Sequence, residues 1–327
     1  MDRRKFLVGA AGLPLASAFP APAIAQAPWP NRSITMIVPF PPGGQADLAA
    51  RPVAAVLEKI FERPVIVDNR QGAGGGIGNA VVAKAEPDGY TLLMALSSLV
   101  VLPEADRLFD KKPLYEVDQL VPIARVLADP AVLAVLSSSP WKTLQDLIDD
   151  ARKRPGEIPY SSSGNYGASH VPTNMFTQAA GIRLLHVPYR GGGPALTALI
   201  GKQVALLASA PGPLAPHIAA GSVRVLASWG GARTPELASV PTFRELGFPD
   251  VEFYIWAGLF APKGTPEPII TRLRTAMREA VRNPQTISVF EKAGSPAAYL
   301  DAPEFASFIA ADSARLIPAV KKIGKVE

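Results

Sequence analysis

At 327 residues, with 48% hydrophobic and 19% charged residues, the chain is long and apolar enough for two domains and a large core, which argues against global disorder. With no cysteine, and only three histidines (His170, His186 and His217) at no metal-ligand spacing, disulfide, thiolate and metal chemistry are not expected. The formal net charge of +5 falls to +3 (30 basic, 27 acidic) without Asp2, Arg3, Arg4 and Lys5 of the leader, too weak and too dispersed for a nucleic-acid footprint.

The first 25 residues read as an export signal. Arg3, Arg4 and Lys5 precede an apolar stretch from Phe6 to Phe19, and small residues end at Ala25, so cleavage is expected near Ala25-Gln26. The apolar stretch is too short to span a bilayer. "RRKFL" also has the look of a twin-arginine signal. No later segment is long and apolar enough to cross a membrane, so the processed protein is expected in the periplasm without a membrane span of its own.

Beyond the signal, "SITMIVPF" (33–40) reads as a strand buried on both faces. Val53, Val56, Leu57, Ile60 and Phe61 mark one apolar helix face. "PVIVD" (64–68) and "YTLLMAL" (90–96) are strands flanking a helix from Asn79 to Glu86. The β-α-β-α-β order predicts a parallel sheet covered by helices. The logic repeats with a strand at 131–137 and a helix capped by Thr143 that buries Leu144, Leu147, Ile148 and Ala151. "IPYSSS" is a strand ending in a serine-rich turn, and Val171, Met175, Phe176 and Ala179 share a helical face. "LLHVPY", a short helix from Ala195 to Ile200, "QVALLAS" and "VRVLAS" follow. A helix burying Ile269, Leu273, Met277 and Val281 and another from about Pro303 to Lys322 close the chain. The expected architecture is α/β, with two domains of parallel-rich sheets and helices on both faces. Crossings near 122–128 and 225–230 divide the chain into 26–126 plus 228–327 and 127–227, with a ligand cleft between them.

The stretch "QGAGGGIGNA" (71–80) fails as a dinucleotide fingerprint, because Ile77 and Asn79 stand where the third glycine is needed. It reads as a tight turn that lets backbone pass close to a neighbour. No P-loop and no G-x-S-x-G elbow occur. Three turns after strands remain: "PFPPGGQAD" (39–47), "SSSGNYGASH" (161–170) and "VPYRGGGPA" (187–195). Ligands of open α/β sheets bind beyond the carboxyl ends of strands, where helix amino ends offer N–H groups and positive dipole to an anion. Ser161, Ser162, Ser163 and Ser169 add hydroxyl donors. Each turn alone reads as helix capping; three together favour a cleft. Asp47 reads as a residue matching the helix dipole, His170 as a capping or structural histidine, and His186 as a core histidine. Arg190 is balanced between a carboxylate clamp and a solvated loop residue.

Segments such as "ITMIVPFPPGGQAD", "VIVDNRQGAGGGIGNAVVAKAEPDGYTLLM", "YSSSGNYGASH", "LLHVPYRGGGPAL" and "FAPKGTP" resemble, in order and spacing, the Bug/TctC family. These are extracytoplasmic solute receptors of tripartite tricarboxylate transporters. The resemblance implies a periplasmic-binding-protein fold of type II-like layout that closes on a small carboxylate and delivers it to a two-component membrane permease. It implies a monomer with no cofactor, and a non-enzymatic role. Carried onto this chain, the implied site takes Phe40, Gly43, Gly44, Gln45, Ala46, Asp47 and Ser97 from one domain. From the other it takes Ser163, Gly164, Asn165, Tyr166, Gly167, Ala168, Ser169, Arg190 and Ser209.

The chain departs from the family pattern at Pro52, which should delay or kink the first helix, and at Gln45 and Tyr166, where small residues are usual. Ala205 and Ser209 stand where aspartates are frequent. A ligand ammonium would need a buried acidic partner, so a mono- or dicarboxylate with an aliphatic or aromatic body is expected over an acidic amino acid. The rival readings are an exported hydrolase or lyase using His170 or Asp47 as base, and a ligand-reporting partner of a sensor.

Overall fold

A computed structural model describes residues 29–326. The export signal lies outside the described residues. The chain opens with β1 (Ile34–Val38), α1 (Gln45–Phe61), β2 (Val65–Asn69), α2 (Gly76–Ala83), β3 (Thr91–Leu96) and α3 (Leu102–Leu108), then enters the long strand β4 (Leu120–Pro130). It continues through β5 (Val132–Leu136), α4 (Leu144–Lys153), β6 (Pro159–Ser162), α5 (His170–Ala180) and β7 (Leu185–Pro188). Next come α6 (Gly192–Ile200), β8 (Leu206–Ser209), α7 (Pro211–Ala219) and β9 (Val223–Ser228). The last leg is β10 (Tyr254–Pro262), α8 (Glu267–Arg282), α9 (Pro284–Lys292), β11 (Leu300–Asp301) and α10 (Ala302–Ile323).

Two sheets result, of order β11-β4-β10-β3-β1-β2 and β7-β6-β8-β5-β9. The βαβ units pair in parallel, β1 with β2 and β3, and β6 with β7 and β8. The sheets are mixed, however, not parallel-rich as expected. β10 runs antiparallel to β3 and β4, β11 to β4, and β5 to β8 and β9. The reason is the path: β4 leaves the first sheet and, after Ala131 alone, becomes β5 of the second, so each returning strand meets it head to tail. At this junction Ala131 N–H donates to Phe253 O (3.0 Å), Trp229 N–H to Ala131 O (2.8 Å) and Phe253 N–H to Trp229 O (3.0 Å). The outgoing and returning segments are thus laced together where the sheets meet.

A continuous core runs through both sheets, including Ile34, Met36, Leu92, Leu133, Phe176, Trp256 and Leu273. A smaller one (Val132, Ala134, Leu199, Leu207, Leu214) fills the space between the second sheet and α6 and α7. The segment after β9 packs on α5, with Phe243 5.0 Å from Phe176 and 4.4 Å from Trp229, ring centre to ring centre. α1 begins at Gln45 and runs through Pro52 unbroken, so the expected late start does not occur. Its buried stripe of Ala49, Val53, Val56, Leu57 and Phe61 holds the helix on the core despite the missing N–H. β10 has no counterpart among the elements predicted from sequence. Its central Gly258 accommodates the ring of Phe305 from α10, which would lie 2.3 Å from an added Cβ.

Candidate functional site

Four helices start at one place. α1, α5, α6 and α7 begin after Gly44, Ser169, Gly191 and Ala210, and none of these residues caps its helix with a side-chain hydrogen bond. Of the other helices, α4, α9 and α10 are capped by the side chains of Thr143, Asn283 and Asp301, whereas α2, α3 and α8 are not. The first-turn N–H groups of a helix have no intrahelical partner and carry the positive end of its dipole. Here their starts surround a cavity of about 30 Å³. Phe40, Gly44, Gln45, Ala46, Leu96 and Ile255 line it from the first sheet, and Ser163, Ala168, Ser169, Gly192, Ala208, Ser209, Ala210 and Pro213 from the second.

The serine-rich turn is held by its own side chains. Ser163 N–H donates to Ser169 Oγ (2.6 Å), and Ser169 Oγ–H donates to Ser163 Oγ (3.0 Å). Tyr166 N–H donates to His170 Nδ1 (3.0 Å), and His170 stacks on His186 at 4.2 Å. Burial, with a smaller contribution from His186, pushes the His170 pKa down to about 3, and burial pushes His186 down to about 4. Both rings are therefore neutral at physiological pH. His170 has its Nδ1 committed to backbone, which makes it a structural histidine and removes it as a base.

Across the cavity the two halves meet through glycine. Gly164, with φ 114°, lies so close to Gly74 that an added Cβ would be 3.2 Å from the Gly74 nitrogen. An added Cβ on Gly193 would be 3.0 Å from Pro42 O. The glycine-rich turn read as a passage for backbone is one side of this contact, and it also supports the ring of Phe40, 2.9 Å from a Cβ built on Gly75.

Of the residues expected at the site, Phe40, Gly44, Gln45, Ala46, Ser163, Ala168, Ser169 and Ser209 line the cavity. Gly43 lines neighbouring surface grooves with Asp47 or Tyr189. Asp47 points away from the cavity. Desolvation raises its pKa, but hydrogen bonds from Arg51, Gly43 N–H and Asn69 outweigh that and hold it below the usual carboxylate range. Ser97 is buried behind the wall, its hydroxyl without a protein partner. Gly164, Asn165 and Gly167 form the seam with Gly74. Tyr166 does not line the cavity. With φ 55°, it turns its hydroxyl to the C-terminal segment, donating to Gly324 O (2.6 Å) and accepting from Val326 N–H (3.1 Å). Arg190 is exposed and outside the cavity, because β7 is an edge strand whose end turns to solvent.

Two features escaped sequence reasoning. The start of α7 is masked by three prolines and a glycine, although Pro at the first helical position is a start signal. The other is Asp129, 3% exposed, at the end of β4 and opposite Ile255 in the ladder. Gln45 Nε2 donates to its Oδ2 and lies 3.4 Å from Ser295 Oγ. Burial, with a smaller push from Glu236, raises the Asp129 pKa to about 7 against the opposing hydrogen bonds from Ser295 and Gln45. Nothing in sequence spacing links residues 45, 129 and 295.

Two mixed sheets meeting over a cavity ringed by helix starts define a periplasmic-binding-protein fold. The chain belongs to the tripartite tricarboxylate transporter receptor family, whose model matches residues 49–325. It is similar to the periplasmic binding protein BugD (30% identity, TM-score 0.84, covering 90% of this chain and 99% of that one). It is also similar to a Rhodopseudomonas palustris protein with adipate (31%, 0.83, covering 90% and 97%). A third similar structure is MatC of the same organism with bound malate (29%, 0.83, covering 89% and 100%). The family is one of extracytoplasmic receptors, not enzymes, which sets aside the hydrolase or lyase reading. No described helix is long and apolar enough to cross a membrane.

Proposed function

We propose that the protein captures a small mono- or dicarboxylate with an aliphatic or aromatic body and presents it to a two-component permease of the tripartite type. The observation that carries this reading is the convergence of four helix starts without side-chain caps on one buried cavity. Such a site attracts a carboxylate without an arginine, and Ser163 and Ser209 add hydroxyl donors. The adipate and malate held by two similar proteins support the ligand class. Asp129, a carboxylate behind the cavity residue Gln45, is pushed toward its neutral form, and Asp47 is engaged by Arg51 and Asn69, so neither offers much to a ligand ammonium.

Ligand pockets usually enclose about 300–1,000 Å³. A cavity of about 30 Å³ admits a dicarboxylate only when the lobes part. Residues 26–126 and 228–327 would form one lobe and 127–227 the other, with the laced junction at Ala131, Trp229 and Phe253 as hinge. Export to the periplasm through the signal at 1–25 belongs to the same reading. Exchange of Arg3 and Arg4 for lysine is expected to block export by the twin-arginine route; normal export of that variant would assign the general secretory route.

The test of capture is calorimetry and thermal shift with a panel of aliphatic dicarboxylates, benzoates and acidic amino acids. Carboxylates without an amino group are expected to bind. Binding of acidic amino acids alone would overturn the ligand class.

A further inference from the structure

Gln45 stands between the cavity and a carboxyl group that the family-level site does not include. It is the first residue of α1, lines the cavity and is 5% exposed. One pole of its amide is engaged: Nε2 donates to Asp129 Oδ2. The other pole, Oε1, is buried without a hydrogen-bond partner and lies beside Gly212, next to the cavity residue Pro213. A buried acceptor without a partner is costly, and an amide can satisfy either kind of neighbour by turning over. In the orientation seen, the amide presents oxygen rather than N–H on the side away from Asp129, the wrong polarity for a carboxylate guest.

We propose that Gln45 is a ligand-reading side chain whose amide is turned by the protonation of Asp129, so that capture of a carboxylate takes up one proton. This inference rests on the reading of the protein as a carboxylate receptor. When Asp129 is ionised it holds Gln45 Nε2, and Oε1 is left over. When Asp129 is protonated, its O–H donates to Gln45 Oε1, the amide reverses, and Nε2–H becomes a donor toward the guest. Asp129 contacts no ligand; it is a positioning residue.

The surroundings favour proton uptake on closure. Gln45 faces Asp129 from α1 and Ser295 from the loop after α9. Glu236, in the turn after β9, is the one charge found to act on it, and it disfavours a second negative charge. In the ladder with β10, Asp129 stands opposite Ile255. The second lobe completes the enclosure, with Gly212 of α7 against Leu48, Ser295 and Gln45; an added Cβ would lie 2.6 Å from Leu48 Cδ2 and 2.8 Å from Ser295 Oγ. Opening the lobes lifts α7 away and lets water reach this cluster. A carboxyl whose pKa is raised in the closed state favours closure when protonated, and the advantage is lost as pH rises toward that raised value, about 7. His170 and His186 stay neutral across this range and do not contribute.

Calorimetry with adipate and malate at pH 6, in two buffers of different protonation enthalpy, is expected to show uptake of about one proton per ligand. Affinity should fall about fivefold from pH 6 to 7, about tenfold from pH 6 to 8, and level off above. The Asp129→Asn variant keeps the shape and, through its amide N–H, holds Gln45 in the reversed orientation. It is expected to bind equally at pH 6 and 8 with no proton uptake. Gln45→Ala should lose about tenfold or more at pH 6, the effect of one hydrogen bond to a charged group, and little at pH 8. Binding by the wild type without proton uptake, or the same pH profile in Asp129→Asn, overturns this inference and leaves carboxylate capture standing. Failure of every carboxylate to bind at any pH from 5 to 8 overturns the receptor reading itself.

Discussion

Ser169 shows how a single hydroxyl organises the second half of the site. Buried, it accepts the Ser163 N–H at 2.6 Å and donates to the Ser163 hydroxyl, so the turn keeps its shape beside the cavity. Ser169→Ala leaves a buried N–H without a partner, which costs about 1–3 kcal/mol. Chemical denaturation should show a loss of that size, and a loss below about 0.5 kcal/mol would mean that water replaces the hydroxyl. Gly191 bears on the proposed closure instead. Its φ of 145° suits glycine, and an added Cβ would meet Pro41 Cδ at 2.5 Å across the cleft. Gly191→Ala is expected to weaken carboxylate binding at least tenfold while changing the stability of the free protein by about 1–3 kcal/mol. Unchanged affinity would show that this contact is not needed in the closed form.

Among the elements, α10 is tied at its start and bridges at its end. Asp301 accepts the Ala302 N–H at 2.8 Å and pairs with Arg274 (2.9 Å) and with Arg278. The hydrogen bond from Arg274 is the largest cause of a carboxyl held far below its usual pKa. A depressed carboxyl stabilises the fold above its unfolded pKa, near 4, and the contribution is lost as pH falls toward the folded value. Asp301→Ala should therefore cost about 1 kcal/mol at pH 7 for the cap alone, with the gap to wild type narrowing below pH 4. Equal gaps at pH 7 and pH 3 would remove the ionic part of this account. The far end of α10 leads to Gly324 and Val326 at the Tyr166 hydroxyl, so the C-terminal segment touches the second-sheet turn directly. Tyr166→Phe removes both bonds and is expected to lower Tm by a few degrees, readable by differential scanning calorimetry.

At the scale of the whole molecule, a cavity of about 30 Å³ and a glycine seam describe lobes that are shut. On the proposed reading, ligand exchange requires rotation about the laced segments at Ala131, Trp229 and Phe253. The ligand-free lobes are expected to stand parted in solution, so small-angle scattering should give a smaller radius of gyration with saturating dicarboxylate than without. An identical radius, with binding confirmed, would place the motion in local loops instead.

The sequence alone determined what depends on neighbours along the chain. Apolar period set β1, β3 and the buried faces of α1, α4 and α8, and proline-glycine or serine-glycine turns located Gly44 and Ser169 at helix starts. Only the tertiary structure decided what depends on distant segments meeting. The antiparallel entry of β10 follows from the path of β4 between the sheets, and the outward turn of Arg190 from the edge position of β7. The left-handed backbone of Tyr166 aims its ring at the C-terminus, although its position in the turn suggests a wall residue. Asp129 illustrates the limit most plainly. In sequence it is one carboxylate before a proline, and its raised pKa arises because folding buries it against Gln45 and Ser295, 84 and 166 residues away along the chain, where water cannot follow.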